Sequence, residues 1–105
     1  MNVILPIGSV VRIKGIKKKI MIFGYLQKCW NSKVDHVDYV GIPYPEGNLG
    51  PQVQLGFQRT DIVEVLFEGY RTEEFEPWRE LLVYYGNEEN RQNFAKDEEE
   101  TDQEV

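Results

Sequence analysis

The chain has 105 residues, a formal net charge of −6 and 41% hydrophobic residues, with five Phe, two Trp and six Tyr. That length fits a single domain with one core, and one cysteine, Cys29, excludes an internal disulfide and a cysteine-built zinc site. Net acidity argues against nucleic acid as a partner, and no apolar run approaches the roughly 18–20 residues of a membrane span.

The opening Met1-Asn2-Val3-Ile4-Leu5-Pro6 carries no basic leader and no long apolar core, so it does not read as a signal peptide. A lone thiol agrees with a reducing compartment, and the expected location is the cytoplasm. Charge is distributed unevenly. Residues 1–35 hold seven Lys/Arg against one acid, residues 36–70 one against five, and residues 71–105 four against twelve. A basic N-terminal third and an acidic C-terminal third are therefore free to attract each other, or two different partners.

Leu5-Pro6-Ile7-Gly8 is a lead-in punctuated by Pro and Gly. Ser9 to Lys14 alternates, with Val11 and Ile13 on one side and Arg12 and Lys14 on the other, the pattern of a half-buried strand. Gly15 allows a tight turn. Lys18 to Leu26 reads as a second strand, with Ile20, Ile22 and Leu26 on one face and Met21, Phe23 and Tyr25 on the other. A strand apolar on both sides belongs in the middle of a sheet or beneath another element. Gly24 within it marks a bend or bulge. Residues 27–36 form a polar connection that holds Trp30.

Val37 to Ile42 is the third strand, and Pro43 ends its ladder because proline has no N–H to donate. Tyr44-Pro45-Glu46-Gly47 fits a β-turn with proline second and glycine fourth. Gln52–Gln58 is a weaker candidate strand. Ile62 to Glu68 is the last strand, with Val63, Val65 and Phe67 expected inward and Glu64 and Glu68 outward. Thr72 is placed to cap a helix whose first turn carries Glu73, Glu74 and Glu76 at the positive end of its dipole. Phe75, Trp78, Leu82 and Tyr85 recur at three- and four-residue spacing and make one apolar stripe. Gly86-Asn87 is a stop signal. From Glu88 the chain is polar and acidic, with too few apolar residues to offset its ordering entropy.

The expected architecture is α+β: a small curled antiparallel sheet of four to five strands, an SH3-like open barrel being favoured over a flatter sheet. A C-terminal amphipathic helix and a disordered acidic tail follow. Residues 1–87 form one β-rich domain and residues 88–105 the tail.

The chemistry-bearing side chains are sparse. His36 is the only histidine and no Cys/His cluster accompanies it, so neither a metal site nor a Ser-His-Asp arrangement has support. Asp35 and Asp38 flank it as ion-pair partners. Cys29 beside Lys28 could be an activated thiol, but a passive loop cysteine is the favoured reading. Lys17-Lys18-Lys19 at a hairpin turn blunts a strand edge or docks an acidic partner, this chain's own tail included. The acidic residues 97–104 make a solubilising tail; a disordered segment cannot hold two carboxylates in catalytic geometry.

One stretch stands out. Tyr39-Val40-Gly41-Ile42-Pro43-Tyr44-Pro45-Glu46-Gly47-Asn48 runs from a strand through two prolines into a glycine turn. It either turns a corner of the sheet or presents a stiff, ring-bearing surface. Rigid loops lose little entropy when a partner docks, and Tyr and Trp dominate binding hot spots. The residues expected to bind a partner are Tyr44 and Pro45 on the loop and Phe75, Trp78, Leu82 and Tyr85 on the helix. No catalytic, metal-ligating or cofactor-binding residue is expected.

Four blocks carry a resemblance: Leu5-Pro6-Ile7-Gly8-Ser9-Val10-Val11; Lys19-Ile20-Met21-Ile22-Phe23-Gly24; Asp38 to Gly47; and Asp61-Ile62-Val63-Glu64-Val65-Leu66-Phe67-Glu68-Gly69-Tyr70. In this order they resemble the small bacterial domain-of-unknown-function family 4176 over about residues 5–70. The resemblance implies a Gram-positive source and a gene beside an LXG toxin of the type VIIb secretion system. It also implies the role of a cytosolic accessory protein or chaperone that binds the toxin before export. The family has no recognised catalytic residues to carry over. The expected function is therefore non-enzymatic protein binding, with a secreted toxin or another protein as partner, no nucleic acid, no membrane and no cofactor. A homo-oligomer is left open. The alternative is an immunity protein that neutralises the toxin's catalytic domain.

Overall fold

The computed structural model describes residues 4–32 and 36–86. Five strands, β1 (Val10–Ile13), β2 (Ile20–Gln27), β3 (Val37–Pro43), β4 (Leu55–Phe57) and β5 (Ile62–Phe67), precede one helix, α1 (Phe75–Gly86). The strands form a single antiparallel sheet in the order β4-β3-β2-β1-β5. It is open, as its two outermost strands are β4 and β5. The α+β class, the open curled sheet and the C-terminal helix are as the sequence implies. The expected tail at 88–105 lies outside the described residues.

The strand apolar on both sides, β2, occupies the centre of the sheet. One sheet face carries the main core: Leu5, Val11, Ile13, Ile20, Ile22, Tyr39, Phe57 and Ile62. Burying such side chains contributes roughly 1.5–3 kcal/mol each. Phe57 stacks on Tyr39 with centroids 5.4 Å apart, and Tyr25 lies against Tyr39 at 5.8 Å.

Bulges reset two expected alternations. In β2 the pairing with β3 shifts between Ile22 and Gly24. The shift carries Tyr25 round to the Ile20/Ile22 face, where it packs on the main core, instead of leaving it opposite. In β5 the pairing with β1 shifts twice: Val10 faces Phe67, Val11 faces Val65, Arg12 faces Glu64 and Ile13 faces Ile62. Each shift leaves one β5 residue unmatched, Leu66 and Val63, and inverts the phase beyond it. Val65 packs on the core. Val63 and Phe67, expected inward, are 60% and 63% exposed, because the bulges turn them away.

The lead-in is held by side chains from distant strands. Tyr39 Oη accepts the Leu5 N–H at 3.0 Å, and Tyr25 Oη donates to the Leu5 carbonyl. Ser9, fully buried, donates its hydroxyl to the Pro6 carbonyl at 2.8 Å and accepts the Gly69 N–H at 2.9 Å. The chain after β5 is thereby tied to the chain before β1. Gly69 is required by that approach: a Cβ there would stand 2.2 Å from the Ile7 carbonyl oxygen.

α1 begins at Phe75, whose N–H donates to the Thr72 carbonyl at 3.0 Å. Pro77 falls third in the helix, where its missing N–H would lack an intrahelical partner in any case. Phe75 and Leu82 pack against Ile4 and Leu26, with Tyr25 and Tyr85 at the margin. The helix therefore covers one end of its own sheet. Leu26 reaches that cluster from a left-handed backbone (φ 52°) at the end of β2.

Candidate functional site

The two ends of the sheet are treated differently. At β4, the Asn31 side-chain amide accepts the Gly56 N–H at 2.9 Å and donates to the Gly56 carbonyl at 3.0 Å. Trp30 Nε1 donates to the Gln54 carbonyl at 2.8 Å. The 27–32 connection thus occupies the β4 edge, and Trp30, 70% exposed, is one of its fastenings. At β5, no hydrogen bond to the outer edge is found among the described residues.

The β5 end also carries the apolar surface. Register places Phe67 beside Val10, Val10 beside Met21, and Met21 beside Ile42. This row crosses four strands on the face opposite Val11 and the main core. Along it runs a groove of about 490 Å³, walled by Val10, Met21, Leu66 and Phe67, floored at Gly8, and rimmed by Lys19 and Tyr44. Lys19 and Tyr44 also line an adjoining depression of about 450 Å³ with Lys17, Lys18 and Pro45. The apolar groove therefore runs into a basic end.

The loop is anchored where it meets this groove. The Tyr44 N–H donates to the Lys19 carbonyl at 2.9 Å, and the Gly47 N–H closes the turn onto the Pro43 carbonyl at 2.8 Å. The closing bond starts one residue earlier than the expected Tyr44–Gly47 β-turn, and the Tyr44–Pro45 peptide is cis. Lys18 Nζ pairs with the Glu46 carboxylate at 2.7 Å, and that hydrogen bond holds the Glu46 pKa below the usual carboxylate value. Among the described residues, Lys17 and Lys19 have no ion-pair partner.

A second depression, about 410 Å³, lies between the lead-in and the start of α1, lined by Pro6, Ile7, Tyr25, Tyr70, Thr72, Glu74, Phe75 and Trp78. Trp78 meets Tyr25 edge-on at 6.0 Å and stays 37% exposed. Tyr70 is 84% exposed.

The six expected partner-binding residues are thus split. Tyr44 and Pro45 stand exposed at the basic end of the groove, and Trp78 lines the second depression. Phe75 and Leu82 are buried against Ile4 and Leu26, and Tyr85 packs at the edge of the same cluster. In this conformation those three fasten the helix to the sheet. Leu81, Val83 and Tyr84, on the outer side of α1, are the exposed apolar residues there. Nothing in the local sequence marks Phe67, Leu66, Met21 or Val10 as binding residues. Met21 was legible as part of a second apolar face of its strand, but the outward turn of Phe67 depends on a bulge that no local signal announces.

The other singled-out groups find structural settings. Asp38 accepts the Arg59 N–H at 3.0 Å, and its carboxylate lies 3.6 Å from the Arg59 guanidinium. Burial pushes the Cys29 thiol pKa up, which leaves little thiolate at neutral pH. Burial likewise raises the Tyr25 and Tyr39 phenols. Asp35 lies outside the described residues. No three His, Cys, Asp or Glu side chains among the described residues converge as a metal site, and no described helix is long and apolar enough to cross a membrane.

The chain belongs to the family described as domain of unknown function (DUF4176), whose model matches residues 4–76. That span takes in the whole sheet, the groove and the first two residues of α1. No curated protein and no solved structure matches the chain.

Proposed function

We propose that this protein is a non-enzymatic binding factor that holds an apolar segment of a protein partner in the groove across β5, β1 and β2. The observation that supports this reading is the Phe67–Val10–Met21–Ile42 row, which leaves Phe67 63% and Tyr44 45% exposed beside a groove of about 490 Å³. Side chains of this kind supply contact area at low entropic cost and recur at the centres of interfaces. The Pro43–Gly47 turn presents Tyr44 on a loop already bonded to Lys19, the residue before β2, so little further ordering is needed on binding.

The family resemblance suggests the partner: an LXG toxin of the type VIIb secretion system, bound in the cytosol of a Gram-positive producer before export. Acting as a chaperone or targeting factor, the protein would cover apolar toxin surface until the toxin is handed on. A second reading, an immunity protein, is favoured by the acid-rich third at 71–105, since such charge suits the basic site of a nuclease. The two roles differ in which toxin fragment is bound.

The test is co-expression of the tagged chain with the toxin encoded beside its gene, followed by pull-down of the whole toxin and of its targeting and catalytic regions separately. Capture of the targeting region, lost in a folded Tyr44→Ser, Phe67→Ser variant, is the expected result. Capture confined to the catalytic region, with loss of toxin activity, would assign the immunity role. Unchanged capture by the double variant would remove the groove from the interface.

A further inference from the structure

The groove has apolar walls and a cationic end, and the chain itself contains a segment of matching chemistry. Residues 97–104 carry six carboxylates in eight positions, with Val105 beyond them and Phe94 before them. We propose that this C-terminal segment, residues 94–105, is an occupant of the groove, its carboxylates over Lys17 and Lys19 and an apolar side chain against Met21 and Phe67. The inference rests on reading the groove as a binding surface, and names this chain's own tail as the ligand a partner must displace.

Three observations carry it. First, the charges are complementary and available: Lys18 is engaged by Glu46, whereas Lys17 and Lys19 flank it with no ion-pair partner among the described residues. Second, the reach is sufficient. α1 ends at Gly86, and the chain from there to Glu100, in the middle of the acidic run, can extend roughly 46 Å at about 3.3 Å per residue. The longest dimension of the molecule is 37 Å. Third, tethering raises the local concentration of the segment to about the millimolar range. A dissociation constant of about 1 mM then gives about half occupancy, so individually weak, exposed ion pairs act together with the apolar contact, and the contact stays weak enough for a partner to compete.

An acidic tail that shields a basic, apolar groove gives the protein a reason to remain apart from other chains until a partner arrives. It also makes partner binding salt-dependent in an uncommon direction. Screening with a Debye length near 3 Å at about 1 M salt releases the tail and bares the groove, while apolar contacts with a partner persist.

The test places a nitroxide label on the full-length chain through Thr101→Cys; buried Cys29 is poorly accessible to the reagent, and wild type treated identically is the control. In low salt, near 10 mM where screening extends about 30 Å, the amide signals of Lys19, Met21, Tyr44 and Phe67 are expected to lose most of their intensity. The loss is expected to reverse near 1 M salt, where screening falls to about 3 Å, and in the Lys17→Gln, Lys18→Gln, Lys19→Gln variant. Broadening elsewhere, or none, overturns the proposal. Broadening that appears equally when isotope-labelled, spin-free chains are mixed with spin-labelled, isotope-free chains assigns the contact to a second copy and also overturns it. Toxin capture without tail broadening sinks this inference alone; tail broadening with no capture sinks the partner reading and leaves this one standing.

Discussion

Replacing Tyr39 by Phe removes one oxygen from a fully buried ring and leaves the rest in place. The ring stack on Phe57 at 5.4 Å and the contact with Tyr25 at 5.8 Å are preserved, so packing loss is small. What is lost is the acceptor for the Leu5 N–H at 3.0 Å, in a residue only 3% exposed. A buried donor left without a partner costs about 1–3 kcal/mol. For a domain of this size each kcal/mol lowers Tm by about 4–8 °C, so a fall of about 5–20 °C is expected. Urea unfolding followed by Trp fluorescence at neutral pH measures it, with a lower midpoint and an unchanged m-value. Tyr25→Phe releases the Leu5 carbonyl instead. Because both phenols grip one residue, the double variant is expected to cost less than the sum of the singles, a coupling of about 0.5–3 kcal/mol. A Tyr39→Phe protein within about 0.5 kcal/mol of wild type, or strict additivity, would refute the idea that two hydroxyls hold the lead-in.

Leu82→Ala opens a cavity under α1 and is expected to cost about 2–5 kcal/mol, whereas Leu81→Ala, at a residue 47% exposed, should stay within about 0.5 kcal/mol; equal effects would contradict the helix orientation. Gly69→Ala sets a methyl 2.2 Å from the Ile7 carbonyl oxygen and is expected to destabilise by about 1–3 kcal/mol, read from the denaturation midpoint. The raised phenol pKa values of Tyr25 and Tyr39 disfavour ionisation in the folded state. Their contribution is therefore fully present below the unfolded value near pH 10 and is lost as pH climbs above it. Stability measured against pH should hold from neutrality to about pH 9.5 and then fall, less steeply in Tyr25→Phe; a fall starting near pH 8 would point elsewhere. Phe67→Ser, at a residue 63% exposed, is expected to change stability by less than about 1 kcal/mol while reducing capture of the partner proposed above. Normal capture by that folded variant would count against the groove.

Period-2 alternation in β1, the two apolar sides of β2 and the three- and four-residue spacing in α1 were enough to read the class, the central strand and the inward face of the helix. Those signals are local, and burial enforces them directly. The bulges were harder. Gly24 marked one because glycine is costly in a regular strand, but Leu66 and Val63 look like ordinary strand residues. Their unmatched positions exist only in relation to β1. Simple alternation accordingly puts Phe67 on the core side. The α1 stripe does not by itself separate Phe75 and Leu82, which bury, from Trp78, which does not fully, because spacing gives a face and not what lies against it. The Tyr44–Pro45 turn is legible because proline and glycine punctuation is a local property. The groove beside them joins residues from three strands, and only pairing could assemble it.

β1 has its two neighbours at opposite ends of the sheet-forming chain: β2 follows at once, and β5 begins only at Ile62. During synthesis the first four strands can pair while β1 keeps one side bare. It must wait until Ile62–Phe67 clears the ribosome, and Ser9 finds Gly69 only then. Such non-local closure slows folding and prolongs the interval in which a naked backbone can recruit the wrong strand. A nascent or truncated product ending before residue 62 would present that unzipped margin permanently, and quality-control proteases should meet it first.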